Sequence, residues 1–315
     1  MVAMPAPGHD GGYSLCVSSQ VGCRMGCKFC ETGKMGLLRN LSAGEIVSQI
    51  ALATRVLRLD VRNVIYMGMG EPLDNVEAVI QSIRVLTDPS GFGLALSHIT
   101  VSTSGVACHV HTLMAALPAV RLAFSLHAAN DELRSSLMPV NRKVPLVELS
   151  DAMRAYLGST RRRVTVQYVL LAGVNDSASH ADELAALLAG IGPAARFHVN
   201  LIPFNATSGK QRFAPPSHDE CKAFKTALKP HGLFCKIREE KGAEKMAACG
   251  QLGNVHLRRL LTRRRRDAEA DAEAEEEAEE AAEVAAVATE HELEMQQAVE
   301  SRAASSLCGR EDLSW

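Results

Sequence analysis

Cys23-Arg24-Met25-Gly26-Cys27-Lys28-Phe29-Cys30 is the stretch on which the reading of this chain turns. It follows the first strand-like run, with three residues between its first two cysteines and two between the last pair. Cysteine thiolates hold iron–sulfur clusters, and a cubane ordinarily takes four of them. Three leave one iron open to a ligand that offers an amino and a carboxylate group. The alternatives are a structural zinc site and a chance spacing. Zinc would draw a further Cys or His from a second cluster, and no second Cys-x2-Cys pair exists in the chain.

Outward from this motif, strand-like apolar runs alternate with helical patterns. The strand candidates are 13–21, 63–69, 98–104, 121–127, 163–171 and 197–203. Between them lie amphipathic stretches at 75–86, 106–117, 146–157 and 180–188. Another opens on Ser42-Ala43-Gly44-Glu45 and continues through Ile46, Val47, Ile50, Ala51 and Val56, a capping box followed by an apolar stripe. Ser217-His218-Asp219-Glu220 carries the same opening. Six βα units in a row predict an α/β fold with a parallel sheet, best fitted by a partial, open (β/α)6 barrel. A doubly wound sheet is the alternative. Polar residues gather where these strands end: Gly70-Glu71, Ser102 to Gly105, Ser125-Leu126-His127, and Asn205. In parallel α/β folds that edge carries the active site. Gly68-Met69-Gly70-Glu71-Pro72 there offers a carboxylate and carbonyls to an amino-acid ammonium.

The net charge of −2 conceals an uneven distribution. Residues 267–300 hold fourteen acidic side chains and no Lys or Arg, so the remainder carries 34 basic against 22 acidic residues. A body of about +12 suits a polyanionic partner. The Ala/Glu tract has helix propensity but no apolar face, which predicts a disordered or solvent-exposed tail over 260–315, after a core domain at 1–259. No apolar run is long enough to span a membrane as a helix, and the first residues have no secretory pattern. Nine cysteines without such a signal argue for metal or redox chemistry rather than a disulfide framework.

These residues resemble a known family, the radical S-adenosylmethionine adenine methyltransferases of RNA (RlmN and the related Cfr). The resemblance runs from about Val2 to Arg259. It rests on Leu15 to Cys23 (LCVSSQVGC), Gly68 to Leu73 (GMGEPL), Thr103-Ser104-Gly105, Asn200-Leu201-Ile202-Pro203, and Ala247 to Leu252 (AACGQL). It implies a radical-SAM barrel in which Cys23, Cys27 and Cys30 hold a [4Fe–4S] cluster. Gly70, Glu71, Ser102, Ser125, Leu126, His127 and Asn205 would contact S-adenosyl-L-methionine. Cys249 would be the cysteine methylated during the cycle, and Cys16 its disulfide partner; from the residues alone, either thiol could equally be a core side chain. Cys108, Cys221, Cys235 and Cys308 match no motif and are read as structural.

The implied reaction consumes two molecules of S-adenosylmethionine, the first methylating Cys249 and the second generating the radical that carries the methyl carbon to C2 of adenine. The implied acceptor is adenine 2503 of 23S ribosomal RNA, with adenine 37 of tRNA in some relatives. An electron donor such as flavodoxin or ferredoxin and a cytoplasmic location go with it, or an organelle if a targeting segment is missing. Two departures stand out. The family's N-terminal RNA-binding domain is absent from the chain as read. The glutamate assigned as base would fall immediately before Met1, so the chain looks like a truncated gene model, a fragment or a degenerate paralogue. Competing readings are a C8-methylating relative, an inactive RNA- or cofactor-binding paralogue, and a radical enzyme acting on a small molecule.

Overall fold

The computed structural model describes residues 1–6, 11–206, 212–238 and 248–253. The expected tail at 260–315, with Cys308, lies outside them. In chain order the elements are β1 (Val2–Pro5), β2 (Gly12–Cys16), β3 (Gln20–Cys23), α1 (Glu31–Met35), β4 (Gly36–Asn40), α2 (Ala43–Ala51), β5 (Asp60–Tyr66), α3 (Val76–Thr87), β6 (Ile99–Thr103), α4 (Cys108–Ala116), β7 (Arg121–Ser125), α5 (Asp131–Leu137), α6 (Leu146–Ser159), β8 (Val164–Leu170), α7 (Ala178–Ala189), β9 (Phe197–Pro203), α8 (His218–Leu228) and β10 (Phe234–Ile237).

Eight strands form one curled sheet in the order β1-β2-β5-β6-β7-β8-β9-β10. All neighbours pair in parallel except β1, which runs antiparallel along β2. This is the expected α/β partial barrel, with a strand more at each edge than the six that periodicity predicts. Both extra strands have only four residues, too few to display a period, and β10 leaves Phe234 exposed.

The central strands are buried on both faces, as parallel sheets are. Val164, Val166, Tyr168 and Leu170 of β8 alternate with Gln167 and Val169, which are also buried. Helices cover the outer face through apolar stripes. On α3 these are Val76, Val79, Ile80, Ile83 and Leu86, and on α2 Ile46 and Ile50. Both expected capping boxes form: Ser42 with Glu45 opens α2, and Ser217 with Glu220 opens α8.

The run expected as one strand at 13–21 is two. Beyond Cys16 the chain leaves the sheet at Ser18, where the Gln49 side chain of α2 stands in for a neighbouring strand. Its Oε1 accepts from the Ser18 N–H at 2.9 Å, and its Nε2 donates to the Ser18 carbonyl at 2.9 Å. The freed segment then pairs as β3 with β4 in a separate antiparallel hairpin. That departure carries the cysteine motif over the end of the barrel.

Candidate functional site

Cys23 ends β3, Cys27 lies in the turn beyond, and Cys30 occupies the N-cap of α1. One end of the loop is tied by the hairpin, in which Cys23 pairs with Gly36. The other is held by the Glu31 N–H, which donates to the Gly250 carbonyl at 2.7 Å, while the Lys28 N–H donates to the Leu137 carbonyl at 3.0 Å. Gly33 makes the close approach feasible: a Cβ there would lie 2.9 Å from the Cys27 carbonyl oxygen. Phe29 anchors the loop against Leu137, Met138, Ile202 and Phe204.

Burial pushes the Cys23 thiol up to about 12. It also raises Cys27 and Cys30, and Cys27 is raised further by the charges of Cys30 and Cys23. Thiols held this dry give up their protons on binding a metal. Cys23, Cys27 and Cys30 line one cavity, and thiols are the donor set that an iron–sulfur cluster takes.

A cavity of about 160 Å³ opens beside them, walled by the C-terminal ends of β5, β6, β7 and β9. Gly70, Glu71, Ser102, Ser125, His127, Asn205 and Cys249 all line it with the three motif cysteines. Glu71 is 3% exposed. Its Oε2 accepts from the N–H and hydroxyl of Ser104, both at 2.7 Å, and its Oε1 from the Leu73 N–H at 3.1 Å. Burial still raises its carboxyl above the usual range. Gly70 has φ +103, and a Cβ on it would lie 2.6 Å from Cβ of Gln20. Ser102 and Ser125 face each other across β6 and β7 with their hydroxyls 3.5 Å apart.

His127 has φ 61, a left-handed conformation that non-glycine residues seldom adopt. Its Nδ1 accepts from the Val169 N–H at 2.9 Å, and its ring stands edge-on to Phe29 with centroids 4.8 Å apart. Burial, helped by the Arg134 charge, lowers its pKa to about 3. Leu126 differs from the rest of the set: its side chain lies in the hydrophobic core, its N–H donates to the Gln167 carbonyl at 3.0 Å, and it does not line the cavity.

Asn205 donates from Nδ2 to the Cys249 carbonyl at 3.0 Å. Cys249 sits in a turn closed by the Gln251 N–H on the Ala248 carbonyl at 3.0 Å, and the Gln251 side chain ties the turn to Ala206 at 2.8 Å. A second cavity, of about 390 Å³, also has Cys249 in its wall. It runs down the barrel past Cys16, Met4, His198, Asn200 and Arg238. Cys16 and Cys249 are both free thiols here. Burial, with the Cys249 charge second, pushes Cys16 up to about 12.

Sequence reasoning passed over two arginines. Arg238, just beyond β10, approaches Cys249 Sγ with Nη1 at 3.7 Å and Met4 Sδ with Nη2 at 3.6 Å. It thereby joins the two edges of the sheet. A charged residue directly after a strand was the available signal, but that strand carried no period. Arg134 of α5 is fully buried behind the cavity wall, and nothing in the sequence sets it apart from a surface helix charge. Cys221 and Cys235 lie in the hydrophobic core, as expected of structural thiols, whereas Cys108 is exposed.

Comparison with known proteins agrees with this geometry. Residues 17–188 match the Radical SAM superfamily. The chain is 47% identical over 249 residues to a protein of Protochlamydia amoebophila named probable dual-specificity RNA methyltransferase RlmN 1, covering 79% of this chain and 68% of the relative. It is 48% identical over 244 residues to a probable dual-specificity RNA methyltransferase RlmN of Pelotomaculum thermopropionicum, covering 78% and 65%. The crystal structure of a radical SAM methyltransferase from Sphaerobacter thermophilus superposes with a TM-score of 0.74 at 46% identity, covering 79% of this chain and 72% of that one. The chain thus spans about two thirds of the length of the curated relatives it matches. By superfamily match, identity and superposition, the chain belongs to the radical SAM superfamily and, within it, to the RlmN family of methyltransferases.

Proposed function

We propose that this chain methylates C2 of an adenine in RNA, with Cys23, Cys27 and Cys30 holding a [4Fe–4S] cluster and Cys249 carrying the methyl group on its sulfur. The observation that supports this most is the position of Cys249. It lines the cavity of the three motif cysteines and also the deeper one that contains Cys16. When bound, the cluster would supply the single electron that cleaves S-adenosylmethionine and so the radical chemistry needed to activate the S-methyl group.

The chain's own residues do the rest. The Glu71 carboxylate, at the cavity wall beside the motif cysteines, takes the ammonium of S-adenosylmethionine. Ser102, Ser125 and His127 border its nucleoside. A first S-adenosylmethionine loses its methyl group to the Cys249 sulfur by displacement, a reaction of the thiolate; Arg238 sets a positive charge 3.7 Å from that sulfur. Asn205 fixes the turn through the Cys249 carbonyl. Once the methylene carbon is bonded to C2 and the adduct has given up one electron and the C2 proton, the Cys16 thiolate attacks the Cys249 sulfur. The carbon–sulfur bond breaks, and its electron pair and a proton complete the new methyl group. An external dithiol must reduce the Cys16–Cys249 disulfide before the next turnover. Each turnover therefore uses two molecules of S-adenosylmethionine.

The relatives' names point to RNA, and the resemblance points to adenine 2503 of 23S ribosomal RNA or adenine 37 of tRNA. The base must leave its stack to reach Cys249. Electrons would come from a flavodoxin or ferredoxin in the cytoplasm. Among the described residues no helix is long and apolar enough to cross a membrane.

The test is anaerobic reconstitution followed by incubation with S-adenosylmethionine, dithionite and unmodified 23S ribosomal RNA, with nucleosides identified by mass spectrometry. 2-Methyladenosine is expected, and Cys249→Ala should lose it. 8-Methyladenosine instead would move the chain to C8 chemistry. Release of 5′-deoxyadenosine with no methylated base would overturn the proposal.

A further inference from the structure

Arg134 is 0% exposed, and every acceptor it meets is neutral. Its Nε donates to the Leu126 carbonyl at 3.0 Å and its Nη1 to Asn141 Oδ1 at 2.6 Å. Its Nη2 donates to the carbonyls of Ser104 at 2.7 Å and Ser125 at 3.0 Å. Among the described residues it forms no ion pair. Asp131 acts on it at a distance without touching it: Asn141 stands between them, accepting from Nη1 and donating from Nδ2 to Asp131 Oδ1 at 2.8 Å. A buried cation without a contacting anion is costly and persists only where something compensates it.

Arg134 belongs to α5, and the last residue of that helix, Leu137, accepts the Lys28 N–H between Cys27 and Cys30. Two of the carbonyls that Arg134 holds belong to Ser104 and Ser125, which line the same cavity as Cys23, Cys27 and Cys30. Through Ser104 it also reaches the other charged group of the cavity, since the carbonyl of Ser104 accepts from Arg134 while its N–H and hydroxyl hold Glu71.

We propose that Arg134 is the buried counter-charge of the cluster held by Cys23, Cys27 and Cys30, a positioning residue that makes its one-electron reduction easier while stapling the strand ends at Ser104, Ser125 and Leu126. This rests on the cluster assignment above. A cluster on three thiolates is anionic and gains a further negative charge on reduction, so a fixed cation beside it favours the reduced state. Cluster charge and hydrogen bonding are known to set such potentials.

The experiment is an anaerobic potentiometric titration with dithionite, followed by electron paramagnetic resonance, on the reconstituted full chain, with iron per chain measured in parallel. Arg134→Gln keeps a hydrogen-bonding head and loses the charge. It is expected to bind the same iron, with the equilibrium constant for reduction at least ~tenfold lower, equivalent to ~59 mV for one electron. Arg134→Lys keeps the charge without the fork and should stay within tenfold of the unmodified chain. If Arg134→Gln does not fold, Asn141→Asp places a carboxylate against Nη1 and should lower the potential in the same direction. An intact cluster with an unshifted potential in Arg134→Gln or Asn141→Asp refutes the counter-charge while leaving the cluster assignment standing. Failure of the unmodified chain to assemble a [4Fe–4S] centre refutes both.

Discussion

At the scale of single residues the cavity holds Glu71, His127 and the three motif cysteines away from their ordinary states. His127 is the clearest case, because one side chain combines a left-handed backbone, a ring nitrogen used as acceptor and a pKa lowered to about 3. A base depressed in the folded state contributes stability that is whole above its unfolded pKa of ~6.5 and drains away as pH falls toward the folded value, at ~1.4 kcal/mol per pH unit. His127→Asn tolerates the positive φ and removes the titration. Urea unfolding of the two proteins should therefore converge on acidification, the gap narrowing by ~2 kcal/mol between pH ~6.5 and pH ~5. A gap independent of pH would mean that the ring is not kept neutral by its surroundings. None of this was legible in the Ser125-Leu126-His127 sequence, where His127 looked like one more strand-end contact. Its displaced pKa comes from burial and from the charge of Arg134, which arrives from another element.

At the scale of elements, the helix starts that a short sequence signal encodes were readable and the short strands were not. Ser42 and Ser217 opened helices as expected, because a capping box is satisfied within four residues. The box formed by Ser177 with His180 escaped notice, since the partner is not Glu or Gln. β1, β3, β4 and β10 have four or five residues each, and pairing rather than periodicity makes them strands. The cysteine loop depends on one such arrangement, α1 lying over Cys27 at Gly33. Gly33→Ala puts a methyl group into that backbone contact. Iron retained per chain after reconstitution should fall several-fold, while the urea midpoint moves by no more than ~1 kcal/mol equivalent, the ordinary scale of a helix substitution. Full iron binding in Gly33→Ala would show that the loop can shift without losing its geometry.

At the scale of the whole molecule, charge separates the body from the acidic stretch at 267–300, and a body of about +12 should meet RNA through its phosphates. Binding of a ribosomal RNA fragment, followed by fluorescence anisotropy, is expected to weaken at least ~tenfold between ~50 and ~200 mM salt. Affinity indifferent to salt would remove the polyanion from the proposed function. The sequence by itself determined the three motif cysteines, the order of βα units and the edge of the sheet where polar residues collect. Each is written in spacings of a few residues or in a repeated period. Only the tertiary structure decided that Cys16 and Cys249, from opposite ends of the described chain, line one cavity, that Arg238 joins the two edges of the sheet, and that Arg134 is buried behind the cofactor wall. Those meetings depend on how far the sheet curls and on the register of eight strands, which packing sets across the whole barrel and no local pattern encodes.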